Sequence, residues 1–67
     1  MKNNYYTLEK KINTRLAALP ADRRPTCEIA GQHIQSVAYS ANGYFEARTT
    51  NGYACSVEAG KAEAWLS

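Results

Sequence analysis

Val37-Ala38-Tyr39-Ser40-Ala41-Asn42-Gly43-Tyr44-Phe45-Glu46-Ala47-Arg48-Thr49-Thr50-Asn51-Gly52-Tyr53-Ala54-Cys55-Ser56-Val57 decides the fold. It holds two Asn-Gly pairs, Asn42-Gly43 and Asn51-Gly52, each between strand-forming residues. Asn and Gly both tolerate positive φ, which tight hairpin turns require, so the stretch reads as an antiparallel meander. Two loop readings compete. If each Asn-Gly is a two-residue loop, Tyr39 faces Glu46 and Val37 faces Arg48, and both faces mix charge with large apolar groups. If the loops are Ala41-Asn42-Gly43 and Thr50-Asn51-Gly52, with glycine in a G1 bulge, Tyr39 faces Phe45 and Val37 faces Ala47. In turn, Ala47 faces Cys55 and Phe45 faces Val57. The second reading puts Val37, Tyr39, Phe45, Ala47, Thr49, Tyr53, Cys55 and Val57 on one face. Ser36, Ala38, Ser40, Tyr44, Glu46, Arg48, Ala54, Ser56 and Glu58 take the other. A sheet with one buried face requires such a separation, so the three-residue loops are preferred.

Upstream, Cys27-Glu28-Ile29-Ala30 and His33-Ile34-Gln35 flank Gly31-Gln32, a candidate II′ turn. That hairpin would leave Cys27, Ile29 and Ile34 on the outer face; a bulge near Gln35 would return them inward. Either way the first and fourth strands of the meander are not neighbours. Cys27 and Cys55 are therefore expected too far apart to bridge, and unpaired.

Tyr5, Leu8, Ile12, Leu16 and Leu19 recur at helical spacing, with Glu9, Lys10, Lys11, Asn13, Thr14 and Arg15 on the other side. This predicts an amphipathic helix from Asn4 to Leu19, capped by Asn3 or Asn4 and ended by Pro20. Pro20-Ala21-Asp22-Arg23 can form one further helical turn. After Val57 the residues become helix formers, and Glu58–Leu66 reads as a short helix with Ser56 as candidate cap. It would lay Ala62, Trp65 and Leu66 on the core, Trp65 contributing roughly 2–3 kcal/mol. The expected fold is α+β: an N-terminal amphipathic helix packed on a three- or four-stranded antiparallel meander, then a short C-terminal helix. Leu8, Ile12, Leu16, Val37, Phe45, Ala47, Cys55, Val57 and Trp65 are expected inside.

Sixty-seven residues make one small domain. Its core is expected to give no more than roughly 3–5 kcal/mol unaided, so a disulfide, a metal, a partner or a second copy of the chain is a candidate stabiliser. Net charge is +2 but uneven. Up to Arg24, six basic residues stand against two acidic ones; beyond it, two basic against four acidic. Met1-Lys2-Asn3-Asn4-Tyr5-Tyr6 leads into charged residues, unlike a signal peptide, and no segment approaches the roughly 20 apolar residues of a membrane span. These features set the expectation of a soluble cytoplasmic protein without a membrane role.

No pattern of catalysis emerges. His33 is the single histidine, and with two cysteines it falls short of the four ligands of a zinc site. Cys27 with His33 is the one nucleophile–base pair the chain offers, and Cys55 belongs to the core. Glu46 and Glu58 share an open face that excludes no water. The glycines sit in hairpin turns rather than in a phosphate-binding loop. The expectation is a protein that is not an enzyme, with no cofactor, no metal and no catalytic residue.

Two surfaces remain. Lys10, Lys11 and Arg15, beside Arg23 and Arg24, could grip phosphates, which makes a small nucleic-acid-binding module the alternative reading. Glu46 and Glu58 on the sheet carry the wrong sign for a duplex. The outer sheet face suits a protein better: Tyr44 and Arg48 are favoured interface anchors, and the small residues around them admit close approach. The candidate protein-binding residues are Tyr44, Glu46 and Arg48, then Lys10, Lys11 and Arg15.

In its size, its twin hairpins at Ala41–Tyr44 and Thr50–Tyr53 and its closing Glu63-Ala64-Trp65-Leu66 helix, the chain resembles small inhibitor proteins of phages and mobile elements, anti-CRISPR proteins among them. The resemblance is one of architecture over the whole chain. It implies stoichiometric inhibition of a larger host complex by surface occlusion, and assigns no functional residue.

Overall fold

The computed structural model describes residues 4–27 and 31–66. The first helix, α1, spans Tyr5–Ala18. Asn4 caps it, its Oδ1 accepting the Thr7 N–H at 3.1 Å. Leu19 is already extended, as a residue before proline tends to be. The last carbonyls of the helix find a partner in Arg24, whose Nε donates to the oxygens of Leu16 (2.7 Å) and Leu19 (3.1 Å). A 3-10 turn over Ala21–Arg23 links the two, with Pro20 at its cap position.

Three antiparallel strands follow, β1 (Ile34–Ala41), β2 (Tyr44–Thr49) and β3 (Ala54–Glu58), side by side in that order. Helix α2 (Ala59–Glu63) and a 3-10 turn (Ala64–Leu66) close the chain. The α+β class and the N-terminal helix on an antiparallel sheet are as the sequence reads. Ile12, Leu16, Cys27, Ile34, Val37, Phe45, Ala47 and Ala62 form the buried core. Leu8, Cys55, Val57 and Trp65, expected inside, are half-buried against it.

The two hairpins reach the expected register by different routes. Tyr39 pairs with Phe45 and Val37 with Ala47, yet Ala41 pairs directly with Tyr44. Asn42 and Gly43 have φ of 55° and 79°, so this loop has two residues, of the I′ kind, not three. The extra residue is Ser40, where the register shifts inside the strand. At the second hairpin Gly52 N donates to Thr49 O, Thr49 N donates to Tyr53 O, and Gly52 alone has positive φ. That loop is Thr50-Asn51-Gly52, as expected. A second shift, at Gln35, turns Ile34 into the core.

Other expectations need correction. Ser56 lies in β3, and Glu58 holds the cap position of α2 without a side-chain bond. Tyr53 falls just before the start of β3 and is 57% exposed. Among the described residues the sheet has three strands, the smaller of the two numbers expected: Thr26 and His33 form an isolated bridge, and Glu28, Ile29 and Ala30 of the expected first strand lie outside the described residues.

The largest correction is covalent. Cys27 and Cys55 form a disulfide, their Cα atoms 6.4 Å apart. Cys27 N donates to Gln32 O, Gly31 N to Cys27 O and Ile34 N to Pro25 O. These bonds and the Thr26–His33 bridge pair Pro25–Cys27 with Gln32–Ile34 only at the entry to β1, and among the described residues the segment does not continue along β1 as a further strand. Freed from meander order, Cys27 enters the core and reaches the inner side of β3.

Candidate protein-binding surface

The bulge at Ser40 and the regular β2–β3 register together arrange the outer face in rows. Arg48 stands between Ser36 and Ala54, Glu46 between Ala38 and Ser56, and Tyr44 between Ala41 and Glu58. The large side chains therefore follow one another along the central strand, and mostly small residues flank them. Tyr44 is 42% exposed. Arg48 and Glu46 form an ion pair of 3.6 Å with side chains 67% and 45% exposed. An exposed pair of this kind adds little stability.

Lys10, Lys11 and Arg15 are exposed on α1, which packs through Ile12 and Leu16 on the other face of the sheet. The structure thus does not gather the six candidate residues into one patch. Lys11 alone approaches the sheet set. With Tyr44, Glu58 and Glu63 it lines an open groove of about 870 Å³ between the start of α1, the first turn and α2. The basic cluster is also smaller than the sequence implied, because Arg24 is committed to capping α1.

The remaining chemistry is structural. Both cysteine sulfurs are in the disulfide, so Cys27 is no thiolate nucleophile. His33 Nδ1 lies 2.6 Å from Arg24 O; a carbonyl only accepts, so Nδ1 donates. Among the described residues no three His, Cys, Asp or Glu side chains gather where they could hold a metal. No helix is long and apolar enough to cross a membrane.

Sequence reasoning missed two residues that shape the sheet's periphery. Asn13 Oδ1 accepts the Val37 N–H at 2.8 Å and its Nδ2 donates to Val37 O at 2.9 Å. Glu9 Oε1 accepts the Tyr39 N–H at 2.7 Å. Their signal was present: a polar pair four residues apart, bordering the stripe of Leu8, Ile12 and Leu16.

No protein-family model matches the chain, and no curated protein or solved structure is similar to it.

Proposed function

We propose that the chain is a non-enzymatic binding protein that inhibits or modulates a larger complex by occupying a surface on it. One observation carries the reading: Tyr44, Glu46 and Arg48 run along the central strand between rows dominated by Ser and Ala. Such a ridge can enter a partner's groove while the small flanks let the walls close around it. Tyr offers area with little rotamer entropy to lose, and Arg a planar donor fork.

The sequence favoured a cytoplasmic setting and a phage-type anti-defence role. The disulfide weighs differently, because structural disulfides persist mainly in oxidising compartments. It therefore favours a target met outside the reducing cytosol.

The test is capture of a specific complex, resistant to nuclease, by wild-type protein and by the Tyr44→Ala/Arg48→Ala double variant. The variant should fold within about 0.5 kcal/mol of wild type, since both sites are exposed. Its binding should weaken by about 2 kcal/mol or more. Undiminished binding by the folded variant refutes the sheet-face reading. Retention on heparin and on generic duplex at about 150 mM salt, lost when Lys10, Lys11 and Arg15 become Glu, would instead support nucleic-acid binding.

A further inference from the structure

The two edges of the sheet are treated in opposite ways. Edge strands expose unpaired N–H and C=O groups, and proteins usually blunt them. At β1 this is done thoroughly: Asn13 takes both backbone groups of Val37, Glu9 takes the N–H of Tyr39, and two bulges break the run. Among the described residues the β3 edge shows no bulge. Its register is unbroken, it contains neither Pro nor Lys, and Ala54, Ser56 and Glu58 are exposed.

The hydrogen-bond alternation shows which groups face outward. Val37 points its N–H and C=O at Asn13, so Val37 and Ala47 are a non-hydrogen-bonded pair. Ala47 and Phe45 must then bond toward β3, to Cys55 and Val57. The Thr49 N to Tyr53 O bond fits the same phase. Ala54, Ser56 and Glu58 consequently aim their backbone groups away from β2. Among the described residues no strand pairs with that side.

We propose that this edge is a self-association surface: β3 pairs antiparallel with β3 of a second copy about a two-fold axis at Ser56, making one continuous six-stranded sheet. This phase sets Ser56 against its own counterpart and Ala54 against Glu58 of the second copy, all as hydrogen-bonded pairs. On the outer face the row becomes Arg48, Ala54, then Glu58 of the second copy. Alanine is small enough for Arg48 to reach over it to that carboxylate, twice per dimer. On the inner face half-buried Cys55 meets half-buried Val57 of the other copy. Trp65, also half-buried, lines the groove of about 550 Å³ beside this edge and gains cover. Charge meets opposite charge and apolar meets apolar, and that self-complementarity selects a second copy over a foreign strand. An edge of five residues is a small interface, so the dimer is concentration-dependent. It is independent of the proposed target, and would set two outer ridges on one platform.

Sedimentation equilibrium of the oxidised chain from about 10 μM to 1 mM tests this without any target, a range bracketing the affinity expected of a small interface. Wild type should follow a monomer–dimer isotherm. Ser56→Pro removes an outward N–H that β2 does not use, and should leave a folded monomer by circular dichroism. Arg48→Glu and Glu58→Arg should each weaken the dimer roughly tenfold, and the double charge swap should restore most of that loss. A monomer throughout the range overturns the proposal. So does a dimer indifferent to both Ser56→Pro and the charge swaps.

Discussion

Reducing the Cys27–Cys55 bridge should cost this small domain a large share of its stability. The bridge spans 28 residues and encloses β1, β2 and both hairpin turns, closing at the second residue of β3. Cross-linking a loop of that length removes entropy from the unfolded chain, which at 25 °C amounts to about 3.5 kcal/mol in the loop-closure model. Reduction is a cleaner perturbation than substitution, because both sulfurs stay in place and Cys27, which is buried, leaves no cavity. With a urea slope of about 1–1.5 kcal/mol/M, suited to so short a chain, the midpoint should fall by roughly 2–3.5 M. The assay is urea unfolding followed by Trp65 fluorescence and far-UV circular dichroism, with and without a phosphine reductant. Alkylation of unreduced, denatured protein, read by mass, should modify no thiol, and two after reduction. Two modified thiols without reduction would refute the bridge itself. An intact bridge whose reduction shifts stability by less than about 1 kcal/mol would refute the loop-entropy reasoning and show that the unfolded chain is already compact.

Asn13→Ala should destabilise by about 1–3 kcal/mol in the same urea assay, because it strands both backbone groups of Val37 at a half-buried site. Gly43→Ala should cost roughly 1–2 kcal/mol, since φ there is +79° although a Cβ would meet nothing closer than Tyr5 Oη at 3.5 Å. Gly60→Ala should instead gain about 0.5–1 kcal/mol: its φ is not in the left-handed region, it lies in α2, and a Cβ would enter open space. In dilute protein, amide hydrogen exchange should be slow at Val37 and Tyr39, which Asn13 and Glu9 hold, and faster at Ser56; equal protection would overturn the assignment of outward groups on β3.

The faces of the sheet were legible because side chains alternate with period two, and the large apolar residues then admit one consistent phase. The first turn was not legible for a related reason. A two-residue loop preceded by a bulge at Ser40 and a three-residue loop place Tyr39, Phe45 and Val57 identically, so hydrophobic pattern cannot tell them apart. The positive φ at Asn42 decides it, and that angle leaves no trace in composition. The disulfide is not legible in the sequence because meander order implies a fixed distance between strands. A segment that pairs with the chain only at the entry to β1 is released from that order, and nothing in Pro25-Thr26-Cys27 announces it. Of the candidate site, the outward direction of Tyr44, Glu46 and Arg48 could be read from alternation. Their separation from Lys10, Lys11 and Arg15 could not, since it depends on which face of the sheet receives α1.

The disulfide and the open edge are linked by the same strand. A five-residue strand with one paired side and half-buried inner residues is prone to fray, because few contacts oppose the entropy of releasing it. At β1, α1 supplies that restraint through Asn13, Glu9 and the residues packed around Val37. At β3 the comparable restraint is the bond from Cys55 to Cys27, which grips the strand from its inner face and leaves its outward N–H and C=O groups untouched. A covalent staple therefore does at one edge what side-chain hydrogen bonds do at the other, with one difference of consequence. Polar side chains that satisfy an edge also close it, whereas a disulfide beneath the sheet steadies an edge while keeping it available for pairing. Among the described residues, the strand edge left open is the one that the bridge anchors.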